Sequence, residues 1–281
     1  MAIIKVINLG TLQFDCRMAG AEKDELVILL HGFPETSIMW TALMADLIPK
    51  GFFCLAPNMR GYSKNACPKG KKHYTIEKLG QDILDLATAI GKDKFHLIAH
   101  DWGAVIGWYL AYHFPTKILS YTALSVPHLK GFFQALQTDP DQQQRSNYIK
   151  LLVIPFIAEY KIRKNDFKLF RKLWKHSREV ELEDYIKTFQ EKKVLTAALN
   201  YYRANFGKTR TEEIGEIEIP TLFIWGNTDM AIGAKGVALS HQYLTGPYTF
   251  LEIDAGHWLM QTSYTAILPP ILKHLNTHRT Y

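Results

Sequence analysis

The chain reads as an α/β protein with a mostly parallel central sheet, helices on both faces and an inserted helical cap. Three observations predict this. Short apolar or β-branched runs recur along the 281 residues, segments of helical period lie between most of them, and residues 127–213 carry helical patterns with no convincing strand.

Taken in order, residues 3–8 and 11–17 are expected to form an antiparallel edge hairpin. "ELVILLHG" (25–32), "GFFCLAPN" (51–58), "KFHLIAH" (94–100), "ILSYTALSV" (118–126), "PTLFIWG" (220–226) and "YTFLEI" (248–253) read as strands. Between them, Thr75 to Ile90 places Ile76, Leu79, Ile83, Leu86 and Ile90 on one helical stripe. "WGAVIGWYLAYHFP" reads as a second helix that ends at Pro115.

The expected division is a core of residues 1–126 and 214–281 with a cap of 127–213. Entering after one strand and leaving before the next, the cap would lie over the carboxyl ends of the strands, where open α/β sheets bind ligands. Within it, Lys161 to Arg178 has eight Lys or Arg against one Asp, with Phe167, Phe170 and Trp174 at helical spacing. That pattern is expected to be a lid helix with a solvated basic face and an aromatic inner face.

Composition narrows the classes. A 47% apolar chain of this length can bury one large core. The net charge of +6 comes with no nucleic-acid motif, so no nucleic-acid partner is expected. Cys16, Cys54 and Cys67 fit neither a zinc site nor a disulfide framework and are read as reduced thiols. The N-terminal "MAIIKVINLGTLQF" lacks a secretory pattern, and no run is long enough to span a bilayer. A cytoplasmic protein without membrane insertion is therefore expected.

The chemistry starts at "IAHDWGAVIG" (98–107), where a strand passes into a helix through small-x-Asp-x-small, with Ala99 and Gly103 flanking Asp101. A sharp turn between small neighbours is the arrangement that pushes a nucleophile outward. An Asp there could equally be a helix cap, but it has company. "WGNTDMAIG" puts Asp229 after the strand at 220–226, and "EIDAGHW" puts His257 after the strand at 248–253, giving nucleophile, acid and histidine at successive strand ends. Asp254 is the rival acid; Asp229 is preferred because Asp254 lies in the final strand run, three residues before His257. An oxyanion hole needs two backbone N–H groups, and the positions that supply them are Trp102, after the nucleophile, and Phe33, in "HGFPETS".

"HGFPE", "RGYS" (60–63), "AHDWG", "SVPH" (125–128), "WGNTD" and "AGHW" occur in the order and approximate spacing of the epoxide hydrolases of the α/β-hydrolase fold, which the chain resembles over nearly its whole length. The resemblance implies two lid tyrosines that activate the epoxide oxygen. The run Asn200, Tyr201, Tyr202, Arg203 carries one role to Tyr202, and Tyr148, ahead of "IKLLVIPFIAE", matches the other. Ala99 in place of the commoner Gly, Asn58 where Asp often stands, and Lys64-Asn65 after "RGYS" depart from the pattern.

A serine attacking a saturated carbon would leave an inert ether. An aspartate, already ionised at neutral pH, attacks such a carbon and leaves an ester that water can cleave. The expected reaction is an epoxide plus water giving a vicinal diol through an Asp101 ester, hydrolysed by water that His257 activates. Phe33, Trp102 and Trp258 are expected to line an apolar substrate pocket; no cofactor and no metal are expected, the His and carboxylates all having roles. A haloalkane or haloacid dehalogenase is the alternative, and a ligand-binding protein without turnover a third reading. A departing halide needs only N–H dipoles, whereas an epoxide alkoxide needs a proton, which the two tyrosines can give.

Overall fold

A computed structural model describes residues 2–206 and 214–280. Its sheet has eight strands: β1 (Ile3–Leu9), β2 (Leu12–Ala19), β3 (Glu25–Leu30), β4 (Phe52–Pro57), β5 (Phe95–His100), β6 (Ile118–Leu124), β7 (Thr221–Gly226) and β8 (Tyr248–Ile253). They lie in the order β1-β2-β4-β3-β5-β6-β7-β8, with β2 antiparallel to both neighbours and every pair from β4 to β8 parallel. The inner strands β4, β5 and β7 are buried at every residue, because a sheet covered on both faces offers no wet side for alternation. At the edges, β1 and β8 keep exposed positions.

The helices are α1 (Thr41–Leu47), α2 (Ile76–Ala89), α3 (Trp102–His113), α4 (Leu129–Thr138), α5 (Pro140–Arg145), α6 (Asn147–Leu152), α7 (Ile157–Leu173), α8 (Glu179–Gln190), α9 (Lys192–Asn205), α10 (Ala234–Ser240), α11 (Leu259–Thr262) and α12 (Tyr264–Thr277). Two apolar clusters put helices on both faces of the sheet: α2 and α3 with Phe14, Leu30 and Leu97, and α1 and α12 with Val27, Ile98 and Leu222. No helix among the described residues is long and apolar enough to cross a membrane.

Between the neighbouring parallel strands β6 and β7, the described residues form α4 to α9 and no strand. The expected end of this segment at 213 lies outside the described residues. α7 is interrupted where Asn165, Asp166 and Phe167 take positive φ. Phe167, Phe170 and Trp174 face inward and are buried, as their spacing predicts. These helices are fastened to the sheet's loops by hydrogen bonds across long sequence separations: Trp174 Nε1–H donates to the Pro34 carbonyl at 3.0 Å, and the Tyr201 hydroxyl to that of Arg60 at 2.6 Å. Asn58, the departure noted above, accepts the Ser37 N–H through Oδ1 at 2.9 Å, a task that needs an acceptor but no charge.

α3 packs against β3 with no room to spare: a Cβ on Gly103 would stand 2.2 Å from the Leu30 carbonyl oxygen. The obstacle is main chain and cannot swing away. Gly103→Ala is therefore expected to cost about 1–3 kcal/mol of stability, read as a lower denaturant midpoint at unchanged slope.

Candidate active site

The loops after β3, β5, β7 and β8 converge at the carboxyl end of the sheet. Asp101, between β5 and α3, has φ 51° and ψ −120°, a conformation few non-glycine residues adopt. It is tolerated because its neighbours give way. A Cβ on Gly32 would lie 2.3 Å from the Asp101 Cβ, so that position after β3 takes glycine alone. Ala99 is accommodated: its methyl is fully buried in β5, between Leu30 and Ala123 of the flanking strands.

Asp101 Oδ1 accepts the Phe33 N–H at 2.6 Å, and Oδ2 lies 3.5 Å from His257 Nε2. The Trp102 N–H begins α3, where helix amides have no partner within the helix. Behind His257, Nδ1 is 2.8 Å from Asp229 Oδ2, while Asp229 Oδ1 accepts the Ala231 and Ile232 N–H groups at 2.7 and 3.1 Å. Asp229 is fully buried; Asp254 is exposed just beyond β8.

Burial pushes the Asp101 carboxyl up, but the hydrogen bond and charge of His257, then His100 and the Phe33 amide, outweigh it and hold the group below its ordinary value. Burial pulls His257 down, yet the Asp229 charge, followed by the Asp101 contacts, raises it to about 10. At neutral pH the resting pair is thus a carboxylate facing an imidazolium.

A cavity of about 340 Å³ opens from Asp101 and His257 into the inserted helices. Tyr148 from α6 and Tyr202 from α9 line it with the two catalytic candidates, and their rings meet edge to face at 6.3 Å. Phe132, Phe133, Phe206 and Ile232 make the wall largely apolar. Desolvation, the Tyr148 hydroxyl and the Asp101 charge keep the Tyr202 phenol well above its usual range; desolvation with Asp101 and Asp229 does the same to Tyr148. Both remain protonated donors at neutral pH.

The three expected pocket aromatics are placed differently. Trp102 lines the cavity, but Trp258 does not: it follows His257 in sequence, stands perpendicular to that ring at 4.9 Å and packs beside His100. The Phe33 ring is also absent from the wall, because its amide must face Asp101 while its ring enters the cluster of Phe170, Phe189 and Tyr202. Conversely, the sequence reading gave no role to His100, Glu35, Ser125 or Gln261. His100 Nε2–H and the Ser125 hydroxyl both donate to the His257 carbonyl, at 2.9 and 2.8 Å, and fix the loop that carries this histidine. Buried Glu35 faces His100 Nδ1 at 3.3 Å and accepts from Gln261 Nε2 at 2.6 Å. His100 and Glu35 stood inside motifs already recognised; their mutual approach across 65 residues left no local mark.

Residues 25–263 match the family model described as alpha/beta hydrolase fold. The chain belongs to this family. It is 29% identical over 275 residues to the AB hydrolase superfamily protein YfhM of Bacillus subtilis, covering 96% of each chain. To epoxide hydrolase 3 of Xenopus tropicalis it is 30% identical over 263 residues, covering 89% of this chain and 71% of the other. Among solved structures, the epoxide hydrolase of Bacillus megaterium in complex with an inhibitor superposes with a TM-score of 0.88 at 26% identity, covering 97% of this α/β hydrolase and 100% of that chain.

If Asp229 is what lifts His257, Asp229→Asn should lower the His257 titration by about 1–3 pH units, since burial then acts with one charge fewer to oppose it. Following the ring-proton shifts of His257 against pH checks this. An unchanged midpoint would assign the lift elsewhere.

Proposed function

We propose that this α/β hydrolase opens an epoxide and returns a vicinal diol by way of an ester on Asp101. The observation that carries the reading is a buried carboxylate and two protonated phenols facing one largely apolar cavity. With Oδ1 held by the Phe33 amide, Oδ2 attacks an epoxide carbon from the far side of the C–O bond, and that bond's electron pair leaves on oxygen. Tyr148 or Tyr202 gives its proton to the forming alkoxide, so a carboxylate and an epoxide become a hydroxy-ester and a phenolate.

Ester formation also supplies the base. The Asp101 charge, one of the groups raising His257, disappears, so His257 releases its proton more readily and the phenolate reclaims one. Neutral His257, still held by Asp229, then takes a proton from water, and the hydroxide adds to the Asp101 carbonyl carbon. The resulting oxyanion occupies the Oδ1 position, which the Phe33 amide faces, and the Trp102 amide is assigned as the second donor. Collapse expels the diol, His257 returns the proton to it, and the carboxylic acid ionises as the resting pair re-forms. The similarity to named epoxide hydrolases supports this reading over dehalogenation, as do the phenols, which a departing halide would not require.

Tyr148→Phe with Tyr202→Phe should reduce epoxide opening by at least about 10²-fold; wild-type rates in the double variant would remove the phenols from the mechanism. With His257→Gln, Asp101 should still attack but the ester should persist, so intact mass rises by one substrate and the added mass maps to the peptide holding Asp101. In a single turnover with excess wild-type enzyme in ¹⁸O-water, the diol should be unlabelled. A labelled diol, with no adduct in the His257 variant, would overturn covalent attack. Halide release from haloalkanes without diol formation from epoxides would choose the dehalogenase.

A further inference from the structure

The inserted helices carry a surface that the cavity does not use. Where α6 passes into α7, Ile154, Phe156, Ile157 and Tyr160 are 42%, 85%, 48% and 66% exposed. Ile157 and Tyr160 share one helical face, while Ala158 and Ile162 are buried on the other. Phe156, the most exposed, has φ 65° and ψ −41°, so the backbone holds this ring in water at a conformational cost as well as a hydrophobic one. An isolated exposed apolar side chain needs no explanation; four within seven residues mark a contact surface.

Lys161 and Lys164 come one helical turn after Ile157 and Tyr160 and so lie on their side of α7, and further lysines follow beyond its interruption. Lys161, Lys164, Lys168, Lys172 and Lys175 are exposed, and among the described residues none of the five makes an ion pair. The arginines of the same segment are engaged: Arg163 with the Phe189 and Gln190 carbonyls, Arg171 with Asp166, and Arg178 with Glu181. Lys168, Lys172 and Lys175 line an open groove with Arg171, whose partner Asp166 is the segment's one acid. A solvated basic face accounts for the lysines alone but not for the aromatic and aliphatic tips beside them.

The combination chooses among partners. Protein interfaces are depleted in lysine, and a nucleic-acid backbone offers nothing to Ile154 or Ile157. An anionic bilayer takes both, with apolar tips at the boundary between headgroups and acyl chains and lysines near the phosphates. We propose that the face formed by Ile154, Phe156, Ile157 and Tyr160, with Lys161 and Lys164 on the same side of the helix, docks the protein reversibly onto an anionic phospholipid surface. The protein then lies on the bilayer without spanning it. α6 brings Tyr148 and Ile149 to the cavity wall immediately before this surface begins, so docking sets one wall of the cavity close to a phase that concentrates apolar molecules.

The test is sedimentation with phosphatidylcholine vesicles, with and without phosphatidylglycerol, at low and high salt. Binding should require phosphatidylglycerol and weaken with salt. Phe156→Ser with Tyr160→Ser, and separately Lys161→Glu with Lys164→Glu, should each weaken it by about tenfold or more, with melting temperatures unchanged. No binding to anionic vesicles at low salt would overturn the proposal, as would binding that ignores the Phe156 and Tyr160 changes. So would a dimer that those changes convert to monomer, or tighter binding to a duplex oligonucleotide than to vesicles. None of these readouts depends on the reaction at Asp101.

Discussion

Asp101 stands where it does only because two stretches of main chain pass closer than side chains permit. The loop after β3 approaches through Gly32 and the first turn of α3 through Gly103, and between them a non-glycine residue is held at positive φ. This close approach brings the Phe33 amide to 2.6 Å from Oδ1. The same strain aims the other oxygen at the cavity. Local conformational cost is repaid by the packing of parallel strands that run nearly wholly through the core, which leave the turn no alternative to adopt.

Around that turn the electrostatics is arranged as a sandwich, with one histidine between two carboxylates. Asp229 spends its lone pairs on two backbone amides and on His257, so it orients the ring as well as charging it. The Glu35 and His100 layer works at one remove, through the carbonyl of His257 rather than its ring. The ring is thereby fixed from both ends, by its nitrogen and by its own main chain.

Much of this is legible in the sequence, for reasons that differ by element. The inner strands announce themselves because burial on both faces demands unbroken apolar runs. Asp101 is legible because a strained turn needs small residues at fixed offsets, and Asp229 and His257 because each stands in the loop that leaves a strand. Tyr148 and Tyr202 sit on amphipathic helices where any aromatic packs well, and only a family resemblance distinguishes them. Trp258 shows the limit of arguing from adjacency: neighbours in sequence point in different directions, and position beside His257 does not place a ring in the cavity. The exposure of Ile154, Phe156, Ile157 and Tyr160 is equally silent, since it is decided by what the rest of the chain leaves uncovered.

The residues that would make and break bonds to carbon are borne by the sheet, whereas the phenols are borne by helices inserted between two adjacent strands. A change in α6 or α9 can therefore alter which phenols line the cavity and how wide it is without touching the turn that carries Asp101. The molecule is built like a tool with a fixed blade and an interchangeable guide. Variation is cheapest where it redirects the blade to new material, and most costly where it would dull the edge.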